Sequence, residues 1–218
     1  MTPPRLQEVA DNVYAYIQPP GGWWMSNAGI IAGRGEGFIL IDTAATQARS
    51  QALLDTARSV TGQPRAAACV LTHSHGDHAG GLCLLDEAKI FAAASAREDL
   101  ADHGLNHWPA LFPDVAWGEL SAKVPNHPLT PVGEQLTDSV PDLFARSLSG
   151  PAHSVGDAFA WLPEERVLFA GDLAWWGVTP LCVLGSIARW RAVLDQLSAY
   201  DLMCRVGYGL VCRSVPVS

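Results

Sequence analysis

Short apolar blocks separated by glycine and proline set the rhythm of this 218-residue chain. Asn12 to Ile17 alternates enough for a strand, which Pro19-Pro20-Gly21-Gly22 ends. Asn27 to Ile31 and Gly37 to Ile41 read as two strands around the turn Gly33-Arg34-Gly35-Glu36, a hairpin entering a mostly apolar sheet. From Ala45 to Val60 the spacing becomes helical, with Leu53, Ala57 and Val60 on one side, and Gly62 with Pro64 stops it. Ala66 to Leu71 is an unbroken apolar run, the mark of a buried strand. Gly80 to Asp86 begins a helix or tight loop, and Lys89 to Ala93 is another short strand.

Between His103 and Val140 no period holds. Proline at positions 109, 113, 125, 128 and 131 forbids long regular elements there, and a loop of this length in a compact domain is often functional. Regular structure returns with a strand from Leu143 to Leu148, then a hairpin of Asp157 to Leu162 and Arg166 to Ala170 across Pro163-Glu164-Glu165. Ser186 is an N-cap for a helix whose face of Ile187, Trp190, Val193, Leu194 and Leu197 reads as core. Two strand-rich blocks alternating with helices predict two packed sheets with helices outside, in a single domain over residues 1–218.

Composition narrows the function. A chain that is 49% hydrophobic can bury a sizeable core, and a formal charge of −8 with a pI near 5.2 argues against a nucleic-acid surface, which needs clustered Lys and Arg. No window holds 18 uninterrupted apolar residues and the N-terminus lacks an apolar signal segment, so the expectation is a soluble, cytoplasmic protein with neither nucleic-acid nor membrane partners. Five cysteines, an odd number without C-x-x-C pairs, indicate neither a disulfide framework nor a cysteine zinc knot.

The candidate chemistry begins where the apolar run Ala66 to Leu71 stops, at Thr72-His73-Ser74-His75-Gly76-Asp77-His78. Residues i and i+2 of an extended segment point the same way, so His73 and His75 can offer imidazoles to one zinc ion. Once the chain turns after Gly76, Asp77 and His78 can face a second metal, an arrangement used by two-metal hydrolases. A surface loop that happens to hold three histidines is the competing reading; the density of ligand-type residues directly after a strand weighs against it. His153 and Asp172 also fall at strand ends. His103, His107 and His127 have no fixed spacing to this cluster and read as surface or structural, with His107 alone a pocket candidate.

The H-x-H-x-D-H string, the later Gly150-Pro151-Ala152-His153 and an apolar strand ending in Gly171-Asp172 resemble the metallo-β-lactamase fold of metallohydrolases, in order and in spacing, from about Val13 to about Cys212. Three segments, Gly21 to Gly29, Phe112 to Gly118 and Trp161 to Asp172, are similar to actinomycete members that include the second-ring cyclases of aromatic polyketide synthesis. The resemblance implies a four-layer αββα sandwich, here C-terminally short, since those cyclases continue past the position of Ser218 into further helices. It implies that His73, His75 and His153 hold a first zinc, that Asp77 and His78 hold a second, and that Asp172 bridges the two. It places Asp42 beneath the metals as a supporting carboxylate; a cap or turn role before the following helix is the equal alternative. A hydroxide shared by two zinc ions would be the nucleophile, with Asp77 or Asp172 orienting it or taking its proton.

One departure stands out: where the family carries a P-G-H-G turn whose histidine completes the second site, this chain reads Val206-Gly207-Tyr208-Gly209. Tyrosine, with a reference pKa near 10, is a rare zinc ligand, so the second zinc is expected to be weakly held. The leading expectation is a zinc hydrolase acting on a thioester or ester of an apolar, aromatic or polyketide-like substrate, small or borne on a carrier protein, with ring closure as an option. Trp23, Trp24, Trp108, Trp117, Trp175 and Trp176 would wall its pocket, core packing being the alternative for each. A generic lactonase or glyoxalase-like hydrolase, and a non-catalytic relative with a degenerate second site at Tyr208, are the other readings.

Overall fold

A computed structural model describes residues 3–19, 22–35, 37–136, 142–175, 179–200, 204–208 and 210–213, the last two stretches as backbone only. A first sheet runs in the order β1 (Arg5–Ala10), β2 (Val13–Ile17), β3 (Ala28–Ile31), β4 (Gly37–Ile41), β5 (Arg65–Val70), β6 (Lys89–Ala93), β7 (His127–Leu129). Its pairings are antiparallel up to β4 and parallel from β4 to β7. A second sheet has the order β13 (Leu210–Arg213), β12 (Cys204–Tyr208), β11 (Val167–Trp175), β10 (Ala158–Leu162), β9 (Leu143–Ser147), β8 (Glu134–Leu136). Its one parallel pair is β11 with β12.

The layers follow from which side chains alternate to which side. On β4, Ile39 and Ile41 join Val13, Val70, Ala160 and Phe169 in the core between the sheets, while Phe38 and Leu40 join Leu53, Leu54 and Leu82 beneath helix α1 (Gln47–Thr61). A strand buried on both faces carries no polar alternation, which is why Gly37 to Ile41 and Ala66 to Leu71 read as continuous apolar runs. On the outer face of the second sheet, Phe159, Leu168 and Ala170 meet Trp190, Val193 and Leu197 of helix α4 (Ile187–Ser198). This is the expected αββα sandwich.

Caps set the helix ends. Thr46 Oγ1 accepts from the Arg49 amide and Gly62, at φ 68°, closes α1; Ser186 Oγ accepts from the Arg189 amide to open α4. Strands β1, β7, β8, β12 and β13 are not anticipated by the pattern, β7 and β8 falling in the stretch where no period holds, and two further departures occur. The face of α4 is only partly core, because Ile187 is 67% and Leu194 42% exposed. At about 100° per residue these two lie roughly 70–90° around the helix from the Trp190–Val193–Leu197 stripe that meets the sheet. The second is an additional helix, α3 (Ala94–His103), whose sequence announces nothing: Ala93 provides no side-chain cap and only Ala96 and Leu100 are buried. No helix among the described residues is long and apolar enough to cross a membrane.

Candidate metal centre

The H-x-H-x-D-H segment leaves the buried end of β5 and is extended through His75 (φ −62°, ψ 147°) before helix α2 (Gly76–Ala79) turns it. The extended stretch puts the His73 and His75 rings on one side, centroids 4.6 Å apart, and the turn swings His78 beneath them, 4.2 Å from His73. Gly76 is needed at the turn because a Cβ there would lie 2.7 Å from the Asn106 carbonyl oxygen. Three hydroxyls pin the segment from outside: Ser26 donates to the Asp77 carbonyl (2.6 Å), Thr43 to the His78 carbonyl (2.6 Å) and Ser74 to the Asp99 carboxylate (2.6 Å).

From the second sheet, β11 brings Asp172 and the loop between β9 and β10 brings His153. Gly171, at φ 53°, lets β11 pass so close to Thr72 that a Cβ would sit 2.3 Å from its hydroxyl. The His153 loop is tied by Asp157, whose carboxylate accepts the Ala152 and Ser154 amides and the Ser154 hydroxyl. These placements gather residues far apart in the chain into two trios, His73–His75–His153 and His73–His78–Asp172, with ligand-type atoms in each trio within 4.8 Å of one another. His153 Nε2 stands 3.2 Å from His75 Nδ1 and 3.5 Å from Asp172 Oδ2; His78 Nε2 stands 3.1 Å from Asp172 Oδ1. Asp77 belongs to neither trio but sits at their margin, its Oδ2 3.6 Å from His78 Nε2.

The outward-facing nitrogens of His73, His78 and His153 have partners outside the cluster, while the inward ones meet only members of the cluster itself. His153 Nδ1 donates to the Leu181 carbonyl (2.9 Å) and His78 Nδ1 to Asp42 Oδ2 (2.8 Å). The Thr72 hydroxyl donates to the same Asp42 oxygen (2.7 Å) and can therefore accept from His73 Nδ1 (3.1 Å). Asp42 thus supports two ligand-type histidines, at a non-glycine φ of 62°. Meanwhile His73 Nε2, His78 Nε2 and Asp172 Oδ1 are buried without any hydrogen-bond partner. A buried polar atom left bare costs roughly 1–3 kcal/mol, so three of them converging on one point, each a lone-pair donor, fit divalent cations.

The electrostatics agree. Burial, reinforced by neighbouring imidazoles, holds His73 well below the usual histidine range and pushes His153 down to about 3, keeping both neutral; burial also lowers His75. Burial lifts the Asp172 carboxyl to about 6. Burial disfavours the His78 imidazolium as well, but Asp172, Asp77 and Asp42 outweigh it and raise its pKa well above normal. A cation at this point would relieve both Asp172 and the crowded carboxylates.

Over the trios lies a narrow cleft, about 50 Å³ in volume, that opens to solvent. Its walls are Trp23, Trp24, Trp108 and Trp175 with Leu181, Val183 and Leu184. Trp23 is 59% exposed, whereas Trp24 is buried. Trp117 does not line the cleft; it packs edge-on behind Trp24, centroids 5.0 Å apart, and His107 packs in turn against Trp117. Trp176 lies outside the described residues, and of Tyr208 only the backbone is described, ending β12 opposite Trp175. The aliphatic wall of Leu181, Val183 and Leu184 and the tie made by Asp157 were not singled out in the sequence; the cap signal at Ser186 was visible, but nothing local says that the preceding loop folds back over His153.

Comparison with known proteins agrees with this architecture. The model of the metallo-beta-lactamase superfamily matches residues 21–206. The metallo-beta-lactamase from Pontibacter korlensis superposes with a TM-score of 0.77 at 17% identity, over 97% of this chain and 94% of that one. TMB-1 superposes with 0.74 at 18%, over 98% and 93%. Among curated sequences, the atrochrysone carboxyl ACP thioesterase dmxR1 of Cryptosporiopsis sp. (strain 8999) is 27% identical over 139 residues, 64% of this chain. That stretch spans 34%, about a third, of the relative's length. With the sandwich, the gathered histidines and a family match over most of its length, the chain belongs to the metallo-β-lactamase superfamily of hydrolases, whose fold implies a divalent metal held at such a site.

Proposed function

We propose that the protein is a zinc-dependent hydrolase that cleaves a thioester or ester of an apolar, aromatic or polyketide-like acyl group, presented as a small molecule or on a carrier protein. The observation that carries this reading is the set of three bare buried donors, His73 Nε2, His78 Nε2 and Asp172 Oδ1, facing one another beneath an aromatic cleft. His73, His75 and His153 would hold one zinc; His78 and Asp77 a second; Asp172 would reach both. Bound zinc supplies water acidified to near neutrality and a Lewis acid for the acyl carbonyl.

The rest is done by the chain. Asp42, Thr72 and the Leu181 carbonyl take the Nδ1 protons, so that the Nε2 lone pairs of His78, His73 and His153 stay free. Asp77, at the margin of the trios and facing the cleft, is placed to accept a proton from the attacking water. Trp23, Trp108 and Trp175 offer ring faces and edges to a planar acyl group, and Val183 and Leu184 exclude water beside the carbonyl. The partial likeness to a carrier-protein thioesterase supports the thioester over a β-lactam. Purification without chelator, elemental analysis, and assay of a 2-naphthoyl N-acetylcysteamine thioester beside a cephalosporin test the reading. Zinc in the protein and thioesterase activity lost with EDTA and restored by zinc are expected. Absence of zinc, or turnover of the cephalosporin alone, refutes it.

Tyr208 favours a second reading, a relative that binds but does not turn over, because a tyrosine stands where the resemblance calls for the last histidine. On that reading Tyr208→His raises zinc from one toward two per chain and brings up hydrolysis. Chelator-sensitive turnover by the wild type eliminates it.

A further inference from the structure

Residues 181–186 of the loop between β11 and α4 contact both the cleft and the His153 segment through interleaved residues, Leu181 taking part in both. Side chains of Leu181, Val183 and Leu184 form the aliphatic wall of the cleft. The backbone of the same stretch grips Ala152–His153 at several points. The Leu181 carbonyl accepts the His153 Nδ1 proton (2.9 Å), the Ser186 amide donates to the Ala152 carbonyl (2.8 Å), and Cys182 Sγ lies 3.7 Å from that carbonyl. Gly185 is pressed against the ligand's own main chain: a Cβ there would lie 2.1 Å from the Ala152 carbonyl oxygen and 2.4 Å from the His153 carbonyl oxygen. Those neighbours are backbone and have no rotamer by which to yield, unlike the side chains that meet a Cβ at Gly118.

We propose that residues 181–186 are the positioning element for His153, the Leu181 carbonyl setting its tautomer and Gly185 its depth, so that the wall that meets the acyl group and the histidine that faces the metal move as one body. The proposal rests on the reading of His153 as a zinc ligand. It makes metal affinity and wall position linked quantities: whatever displaces the wall weakens the grip on His153, and, by reciprocity, metal at His153 firms the wall. Where His78 Nδ1 meets the Asp42 carboxylate, His153 Nδ1 meets a backbone carbonyl of this loop, and Asp157 holds Ala152 and Ser154 on either side rather than the ring itself.

Three variants separate this from general loosening. Gly185→Ala is expected to weaken zinc binding at the tighter site by about tenfold or more, the scale of a lost outer partner, and to change the visible bands of the cobalt-substituted protein. Leu181→Ala keeps the carbonyl while cutting back the wall beside Val183 and Leu184, so zinc affinity stays within about twofold while KM for the naphthoyl thioester rises. Gly118→Ala, at a positive φ (77°) and against the Gln47 side chain of α1, loads another loop with strain and is the control; it leaves zinc affinity unchanged. Equal weakening by Gly118→Ala and Gly185→Ala, or no change with Gly185→Ala, overturns the proposal. Should Gly185→Ala not fold, long-range proton–nitrogen spectra of histidine-labelled, metal-free wild type decide: His153 protonated on Nδ1 is expected, and on Nε2 overturns it. A wild type that binds no zinc sinks the proposed function, whereas the tautomer of His153 is read without metal or activity.

Discussion

Asp42→Asn isolates what one buried carboxylate does for the metal centre. Asp42 is 2% exposed; its Oδ1 accepts the Thr72 amide (2.7 Å), and its Oδ2 accepts both the Thr72 hydroxyl (2.7 Å) and His78 Nδ1 (2.8 Å). Asparagine matches its shape and tolerates the left-handed φ of 62°. Its single oxygen can keep the Thr72 amide, which puts the NH2 group where Oδ2 received two protons. His78 must then accept at Nδ1 and carry its own proton on Nε2, the atom that faces Asp172. The two hydrogen bonds to Oδ2, at roughly 1.5–3 kcal/mol each for a charged group, are partly recovered by the neutral replacement, leaving a loss of about 2–3 kcal/mol. At about 2–4 °C per kcal/mol for a chain this size, the melting temperature falls by roughly 4–12 °C. Zinc affinity falls by about 10–100-fold, as for other outer partners of metal-bound histidines. Competition against a chromophoric chelator reads the affinity and circular dichroism the melting. Zinc bound within twofold of wild type would show that Asp42 does not set the His78 tautomer, and the account of the site would fail with it.

The metal-free protein should lose stability steeply as pH falls from 6.5 toward 5. His73 and His153 are held far enough down to stay neutral when folded, so the unfolded chain takes up two protons that the native state refuses, while Asp172, lifted to about 6, takes up one that only the native state holds, and His78, raised, is charged in the native state throughout. A balance of about one proton near pH 5, with the lowered His75 acting in the same direction, gives roughly 1.4 kcal/mol per pH unit; urea titrations at pH 6.5 and 5 with equal midpoints would contradict it. Trp23→Ala should leave folding nearly untouched, because the side chain is 59% exposed, yet raise KM for aromatic thioesters several-fold over acetyl ones. An equal change for both substrates would remove Trp23 from recognition. Gly171→Ala combines a positive φ with a contact of 2.3 Å to Thr72 and should destabilise by about 3 kcal/mol, visible as a lowered urea midpoint; an unchanged midpoint would mean that β11 can shift away from Thr72 freely.

Local pattern was enough to determine the strands covered on both faces, because such residues leave no polar alternation: Phe38 to Ile41 and Ala68 to Leu71 could be nothing but interior, whereas β1, β7, β8, β12 and β13 went unread. The same pattern located the ligand-type residues at strand ends, since His73, His75 and His78 are close in the chain and their proximity in space is a matter of two backbone conformations. It misjudged α4, where periodicity says which residues share a side but not how wide a strip the sheet will cover, and Ile187 and Leu194 fell beyond it. The helix Ala94–His103 escaped because it buries only Ala96 and Leu100.

What joins His153 and Asp172 to the first cluster is the stacking of two sheets that the chain builds separately, β1 to β7 and β8 to β13. No spacing in the sequence encodes how those sheets meet. Whether Asp42 was a cap or a support, which tryptophans face the cleft, and that Leu181 holds His153 through a carbonyl were all settled by tertiary contact. A backbone carbonyl has no residue type to be read, and a side chain's neighbours across a sheet interface exist only once both surfaces have been brought together.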